Sequence, residues 1–191
     1  SLIDRLLLPE NLGQVTLLYA ASRVLGYFLN QNPGLLETVF PIVKEDPADF
    51  ESRMKSLLAE AVTEDPLRRI RLLRSTEYVR ILVADALRLD KLEATAAKIS
   101  SLADACFALA MRAAGLTGRG VAVIGMGKWG GRELNYSSDI ALFFVCGDAV
   151  PAVELPELEE RARRAVALIE EFTDGGQAWR VDTKIRPEGS G

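Results

Sequence analysis

The sequence predicts an α+β fold, in which a helical region (residues 1–118) precedes a core built on a small mixed sheet (residues 119–191). Only three glycines precede position 115, whereas the last 77 residues hold twelve. The first part is also rich in Leu and Ala at helical spacing, and the second contains two β-rich runs, Val121–Ile124 and Ile140–Val145. Because glycine destabilises helix interiors, its scarcity before position 115 favours helices there.

Apolar spacing and turn residues place the helices of the first part. They predict helices from about Asp49 to Val62, from Leu67 to Leu87 and from Leu92 to Ala114, with a glycine-rich linker before the first strand. The same spacing predicts that five residues are largely buried: Leu17, Leu25, Leu72, Ile81 and Leu102.

The helix that starts near Leu67 is unusually rich in arginine. Its arginines are Arg68, Arg69, Arg71, Arg74, Arg80 and Arg88. They predict either a solvated face, whose aliphatic stems cover apolar surface, or a surface that faces a nucleotide or an acidic partner. Spacing alone does not separate these two interpretations.

In the second part, a glycine-rich turn joins the two β-rich runs. A charged helix with an apolar stripe is predicted from Glu157 to Phe172, and the alternation from Trp179 to Arg186 predicts a further strand. A glycine turn between two buried strands, with a carboxylate at the head of the second, indicates a site for nucleotide phosphates.

Two familiar phosphate motifs fit this turn poorly. Gly125-Met-Gly127-Lys-Trp-Gly130 matches the dinucleotide fingerprint, but the next apolar run starts ten residues later, too soon for a full helix and a second parallel strand. A Walker A loop is excluded because Trp129, rather than Ser or Thr, follows Lys128.

The composition limits the kinds of catalytic and metal site that the chain can form. The chain contains no histidine, which excludes Ser-His-Asp, Cys-His and His-zinc sites and leaves carboxylates with a hard cation such as Mg²⁺. The two cysteines lie 40 residues apart and predict neither a disulfide framework nor a zinc site.

Charge and hydropathy give expectations about partners and location. A net charge of −4 argues against nucleic acid as the main partner. No membrane span and no signal peptide are expected, because no run reaches about 18 apolar residues and the N-terminus lacks the signal pattern. These observations predict a cytoplasmic protein.

Two acids are candidates for a metal site. Asp139 and position 141 point to the same face of the second strand, and Asp182 lies on a later strand that can pair beside it. Three carboxylates in this arrangement would clamp Mg²⁺ and a nucleotide's phosphates. Position 141 is Ala, so one acid of the clamp is absent.

The run Gly125-Met-Gly-Lys-Trp-Gly-Gly-Arg-Glu-Leu-Asn-Tyr-Ser-Ser-Asp-Ile-Ala resembles a family signature. That signature, GMGKLGG-x-ELN-x-SSDIDL, belongs to the glutamine synthetase adenylyltransferase/adenylyl-removing enzymes, which are DNA polymerase β-like nucleotidyltransferases. The run from Arg180 to Gly191 is similar to the family's RVD-x-R-x-RP-x-G element. The residues of both motifs are closer to those of the N-terminal, deadenylylating half of these two-part enzymes.

The resemblance implies roles for particular residues. Asp139 and Asp182 would be the catalytic metal ligands for Mg²⁺. The nucleotide phosphates would be bound by Gly127, Lys128, Gly130, Gly131, Ser138 and Arg186. Trp129 stands where the family usually has Leu, and Lys184 where it usually has Arg. Ala141 is the serious departure, and it puts metal binding and turnover in question.

The resemblance also implies a reaction and partners. The reaction is transfer of AMP on a glutamine synthetase tyrosine, either added from ATP or removed by phosphorolysis to give ADP. Glutamine synthetase and a PII-type nitrogen signalling protein would be the partners, and the catalytic core would continue beyond Gly191. The alternative is a catalytically impaired nucleotide-binding or regulatory module, because Ala141 replaces the second acid.

Overall fold

The structure is a computed structural model, and it describes residues 8–21, 30, 34, 45–59, 65–173 and 176–183. The described part of the first 118 residues contains helices and no strand. The helices are α1 (Pro9–Ala21), α2 (Pro47–Ala59), α3 (Pro66–Ala86) and α4 (Leu92–Ala113). The helices predicted from apolar spacing are therefore confirmed, with shifts of one or two residues at the ends that the structure describes; the predicted end near Val62 lies outside the described residues.

The start of α3 follows from its local sequence. The Asp65 carboxylate accepts a hydrogen bond from the backbone N–H of Arg68 at 2.9 Å and thereby caps the helix. Pro66 occupies the first turn, where its missing N–H costs nothing and its fixed φ suits the helix.

The second part forms a mixed sheet, so the α+β prediction is confirmed. Within the described residues the strand order is β1 (Val121–Met126), β2 (Ile140–Cys146) and β3 (Val181–Asp182). β1 and β2 are antiparallel, and β2 and β3 are parallel. A dinucleotide-binding unit joins parallel strands through a helix, so the antiparallel pairing rules out that interpretation of the glycine motif.

Two helices flank the strands. The short α5 (Gly127–Gly130) follows β1 directly, and α6 (Leu155–Glu170) leads from β2 towards β3, close to its predicted position. Of the predicted strand from Trp179 to Arg186, the described residues form β3 at Val181–Asp182. Residues 184–191, including Arg186, lie outside the described residues.

The helix α4 forms the centre of the hydrophobic core. Its buried residues include Ile99, Leu102 and Cys106, and they join one cluster with Ile140 and Leu142 of the sheet. The core therefore extends across the boundary predicted near residue 118, and the division into two domains there stays a prediction.

α4 bears on the expectation that the chain contains no membrane span. α4 is long and apolar enough to cross a membrane by length and composition, although no such run was expected from the sequence. However, 67% of its apolar window is buried inside the fold, as is typical of a core helix.

The burial predictions are confirmed at two positions and wrong at one. Ile81 and Leu102 are buried, whereas Leu72 is 61% exposed. The neighbouring Arg71 is buried in its place, because its guanidinium donates hydrogen bonds to main-chain carbonyl groups of the C-terminal part. The side chains of Leu17 and Leu25 lie outside the described residues.

The loop between α5 and β2 is fixed to the end of α3 by tyrosines. The Tyr136 hydroxyl donates to Asp85 Oδ2 at 2.8 Å, and the Tyr78 hydroxyl donates to the Tyr136 carbonyl at 2.8 Å. The two rings meet edge to face, with centroids 5.5 Å apart. Burial raises the pKa of Tyr136, and the hydrogen bond to Asp85 raises it further.

Two leucines in adjacent helices provide a matched test of the core. We expect Leu102→Ala to lower the free energy of unfolding by about 2–5 kcal/mol, because it leaves a cavity at the centre of the core. Leu72→Ala, at an exposed site, should change it by no more than about 0.5 kcal/mol. Chemical denaturation measures both, and equal losses would contradict this packing.

The raised pKa of Tyr136 predicts a pH dependence. The folded protein keeps a proton that the unfolded chain releases near pH 10, so this contribution to stability is present below about pH 10 and declines above it. Tyr136→Phe should cost about 1–2 kcal/mol near pH 7, where a hydrogen bond is lost, and should flatten the alkaline decline.

Urea unfolding between about pH 7 and pH 10.5 measures this difference, with Tyr19→Phe as the control. Tyr19 lies in α1 and its hydroxyl donates to exposed Asn30, so Tyr19→Phe controls for the loss of a hydroxyl hydrogen bond at the surface. An unchanged alkaline slope in Tyr136→Phe would contradict the prediction.

Candidate nucleotide-binding site

The glycine-rich turn is a tight reversal of the backbone between β1 and β2. Gly127 has a φ of +52°, in the left-handed region that favours glycine, and a Cβ added there would meet nothing within 4 Å. A Cβ at Gly130 would lie 2.4 Å from the Gly125 carbonyl oxygen. Gly130 is therefore required by the close approach of the chain to itself, whereas Gly127 opens onto free space.

The other predicted residues of the turn are at the surface. Lys128 and Gly131 are exposed, and the N–H of Gly131 donates to the Gly127 carbonyl oxygen at 2.9 Å. The Gly131 N–H is therefore already used within the turn, whereas the Lys128 side chain is exposed beside it. An exposed ammonium group can attract an anion such as phosphate.

Trp129 anchors the turn on α4. Its ring is buried and lies 4.9 Å from that of Phe107, and its Nε1 donates to Asp104 Oδ1 at 2.8 Å. Arg132 Nη1 donates to the other oxygen of Asp104 at 3.1 Å, and Arg132 also donates to the Ser101 hydroxyl. Trp129, which is bulkier than the Leu usual at this position in the family, is therefore accommodated by a polar partner as well as by apolar packing.

Ser138 closes a turn immediately before Asp139. Its hydroxyl accepts from the Asn135 N–H at 3.0 Å and donates to Asn135 Oδ1 at 2.9 Å. The N–H of Ser137 also donates to Asn135 Oδ1, at 3.0 Å. This hydroxyl fixes the direction in which the chain enters β2, and its predicted contact with phosphate stays a prediction.

The two candidate acids lie on neighbouring parts of the sheet. Asp139 directly precedes β2, and in the parallel pairing of β2 with β3 the partner of Asp182 is Ala141. Alternate residues of a strand share a face, so Asp139, position 141 and Asp182 belong to the same face of the sheet. Both acids are exposed, and Asp139 forms an ion pair with Arg180 at 2.7 Å.

The donor set suits Mg²⁺ only in combination with a phosphate ligand. Among the described residues, no group of three or more His, Cys, Asp or Glu side chains could hold a metal ion. Mg²⁺ is commonly held by one or two carboxylates, with substrate phosphates and water completing its shell. Asp139 and Asp182 provide two such carboxylates, while the Ala141 methyl group provides none.

A cavity of about 540 Å³ lies on the helical side of the same loop. Thr95, Ile99, Arg132 and Tyr136 contribute to its walls, and neither candidate acid lines it. Of the predicted phosphate-binding residues that the structure describes, Gly131 alone borders this cavity.

Several residues that support this region were not predicted from the sequence. Asp104 and Asp85 hold the glycine turn and the loop before β2, and Arg71 and Arg74 hold the segment that leads into β3. The arginine-rich pattern of α3 was the one available signal. Three of its arginines, Arg69, Arg71 and Arg74, donate to main-chain carbonyl groups, an arrangement that neither interpretation of the pattern described.

A family model described as glutamate-ammonia ligase adenylyltransferase matches residues 12–191. The chain is 29% identical to the bifunctional glutamine synthetase adenylyltransferase/adenylyl-removing enzyme of Brucella suis, over 84% of this chain and 19% of the relative. The enzyme of the same description from Chromobacterium violaceum is 29% identical over 95% of this chain and 22% of the relative.

A third relative with this description, from Burkholderia mallei, is 35% identical over 74% of this chain and 18% of its own length. The chain thus spans about a fifth of the length of the relatives it matches. The family model, in contrast, covers nearly all of the chain, and its nucleotidyltransferase-like fold agrees with the α+β architecture. The chain therefore belongs to the glutamate-ammonia ligase adenylyltransferase family.

Proposed function

We propose that this chain is a nucleotidyltransferase unit that acts on glutamine synthetase, with Asp139 and Asp182 as its metal-binding acids. The observation that carries the proposal is the β2–β3 register, in which Asp182 pairs with the residue two positions after Asp139. The glycine turn lies at the same end of the sheet, since Met126, the last residue of β1, pairs with Ala141. The two acids and the glycine turn thus lie at the same end of the sheet, as catalysis of phosphoryl transfer requires.

The favoured reaction is removal of AMP from a glutamine synthetase tyrosine. A phosphate oxygen attacks the phosphorus of the AMP group and forms a new P–O bond, while the bond to the tyrosine oxygen breaks. The products are ADP and the unmodified tyrosine. The closeness of both motifs to the deadenylylating half supports this direction over addition of AMP from ATP.

Each predicted residue has a role in this reaction. Asp139 and Asp182 would hold Mg²⁺, which when bound offsets phosphate charge and polarises the P–O bonds. The backbone around Gly127, Gly130 and Gly131 and the charge of Lys128 would bind the phosphates. Ser138 would border the same pocket and Arg186 would add positive charge. A PII-type signalling protein is the proposed regulatory partner.

A second candidate function is nucleotide binding without turnover. Ala141 removes one carboxylate, and Arg180 pairs with Asp139 and so competes with a cation for that oxygen. Such a module would bind ADP or ATP in the presence of Mg²⁺ and leave adenylylated glutamine synthetase unchanged. The two functions differ in the release of AMP, and nucleotide affinity does not separate them.

One prediction of the proposed function concerns the distance between the two acids. With Mn²⁺ and ADP bound, the Asp139 and Asp182 carboxylates should lie roughly 4–6 Å apart, because a shared divalent ion lies about 2–2.6 Å from each oxygen. A crystal structure with these ligands measures the separation. Carboxylates more than about 10 Å apart, or on opposite faces of the sheet, would contradict the assignment.

The second prediction concerns activity. We expect the chain to be nearly inactive and Ala141→Asp to raise phosphate-dependent release of AMP from adenylylated glutamine synthetase by at least about 100-fold, since a missing metal ligand misplaces the phosphate. Ala122→Asp is the matched control. Ala122 is exposed on the same face of the sheet but pairs with Val145, towards the opposite end of β2.

The control should leave activity at the level of the unsubstituted chain, because its carboxylate is remote from Asp139 and Asp182. Robust and equal activity with Ala or Asp at position 141 would show that the second acid is dispensable. The proposed mechanism would then be wrong.

A further inference from the structure

We propose that Arg74, supported by Arg71, is a positioning residue that holds the segment 176–182 in register and thereby places Asp182 beside Asp139. The inference rests on the proposed function, in which these two acids share a metal ion. Neither arginine contacts the proposed reaction site directly. Both belong to α3, about one hundred residues earlier in the chain than the segment they hold.

Arg71 fixes the point where α6 ends and the chain turns back. Its side chain is buried, with the residue only 5% exposed. Nη1 donates to the Leu168 carbonyl oxygen at 3.0 Å, Nη2 donates to that of Glu171, and Nε donates to that of Gly176 at 2.9 Å. One guanidinium thus satisfies carbonyl groups at the C-terminus of α6 and on the returning strand segment.

Arg74 holds the next part of the same segment. Its Nε donates to the Ala178 carbonyl oxygen at 3.2 Å. Its guanidinium carbon lies 3.3 Å from the centroid of the Tyr78 ring and 4.7 Å from that of buried Trp179. The side chain therefore stacks on aromatic rings while it binds the backbone three residues before Val181.

Beyond Trp179, main-chain hydrogen bonds and the ion pair of Arg180 with Asp139 join the segment to its neighbours. The N–H of Ile140 donates to the Arg180 carbonyl oxygen at 2.9 Å, and the N–H of Val181 donates to Glu170 Oε1 at 2.9 Å. Within the described residues, β3 contains two residues. A strand this short does not fix its own register, and a shift by one residue would turn Asp182 to the other face of the sheet. The contacts of Arg71 and Arg74 prevent that shift.

Lysine cannot replace arginine in this arrangement. An ammonium group keeps the charge but loses the planar fork that stacks on the rings and reaches several carbonyl groups at once. Arg74→Lys is therefore expected to keep the fold and loosen the segment. Arg68→Lys is the matched control, because Arg68 is exposed on the same helix.

The test measures binding of Mn²⁺ to the chain by electron paramagnetic resonance, in the Ala141→Asp background where a third carboxylate strengthens binding. Arg74→Lys and Asp182→Asn are made singly and together, at a temperature where circular dichroism shows every variant folded. Arg74→Lys should weaken binding about 10-fold when Asp182 is present and less than about 2-fold in the Asp182→Asn chain. A role confined to stability would not depend on Asp182.

Amide hydrogen exchange provides a second measurement. The N–H groups of Val181 and Ile140 should exchange faster in Arg74→Lys and at the parent rate in Arg68→Lys. Arg71→Lys, which keeps the charge and part of the hydrogen bonding, should show the same changes to a smaller extent. It serves as the test variant if Arg74→Lys does not fold.

The outcomes separate this inference from the proposed function. Unchanged Mn²⁺ binding in Asp182→Asn would contradict the proposed metal site and overturn the inference with it. Binding that depends on Asp182 but does not change in Arg74→Lys would overturn the inference alone. Equal weakening by Arg74→Lys with and without Asp182 would also overturn it, because the arginine would then act on something other than that acid.

Discussion

The burial of α4 on several sides is the constraint on which the rest of the structure depends. α2, α3 and α6 all pack on this helix, and its buried residues form one cluster with those of the sheet. Its buried positions are therefore apolar and often small, as at Ala103 and Ala110, or polar with a fixed partner. Lys98 is the clearest case, since its ammonium lies 2.7 Å from Asp90 and both side chains are almost fully buried. Removing either partner would leave an unpaired charge beside the core.

The polar groups of α3 and α4 give the helical region a role beyond support. From α4, Asp104 holds the glycine turn through Trp129, and from α3, Asp85 holds the next loop through Tyr136. Arg71 holds the segment that leads into β3. A three-stranded sheet with one very short strand is weak alone. The end of the sheet that carries the candidate acids is therefore held in place by these contacts with the helices.

The sequence was informative where local pattern decides structure and uninformative where distant contacts decide it. Apolar spacing, glycine usage and β-rich runs predicted the helices, β1, β2 and the burial of Leu102. The same reasoning failed at Leu72, because α3 carries charged residues on its inward side: Arg71 and Glu77 are both buried. The carbonyl partners of Arg71 lie 97–105 residues away in the chain, and no local periodicity indicates them. The hydrogen bond from Trp129 to Asp104 could not be predicted for the same reason.

At position 141, the residue that favours stability without metal differs from the residue that the proposed reaction requires. An acid at position 141 would lie directly opposite Asp182 in the strand pair, where two like charges repel each other and destabilise the sheet. A bound cation would offset this repulsion, so a complete set of acids is costly only while the metal is absent. Alanine removes the repulsion, while Asp139 keeps its ion pair with Arg180. The substitution thus favours the metal-free fold and removes the ligand that the proposed reaction most needs.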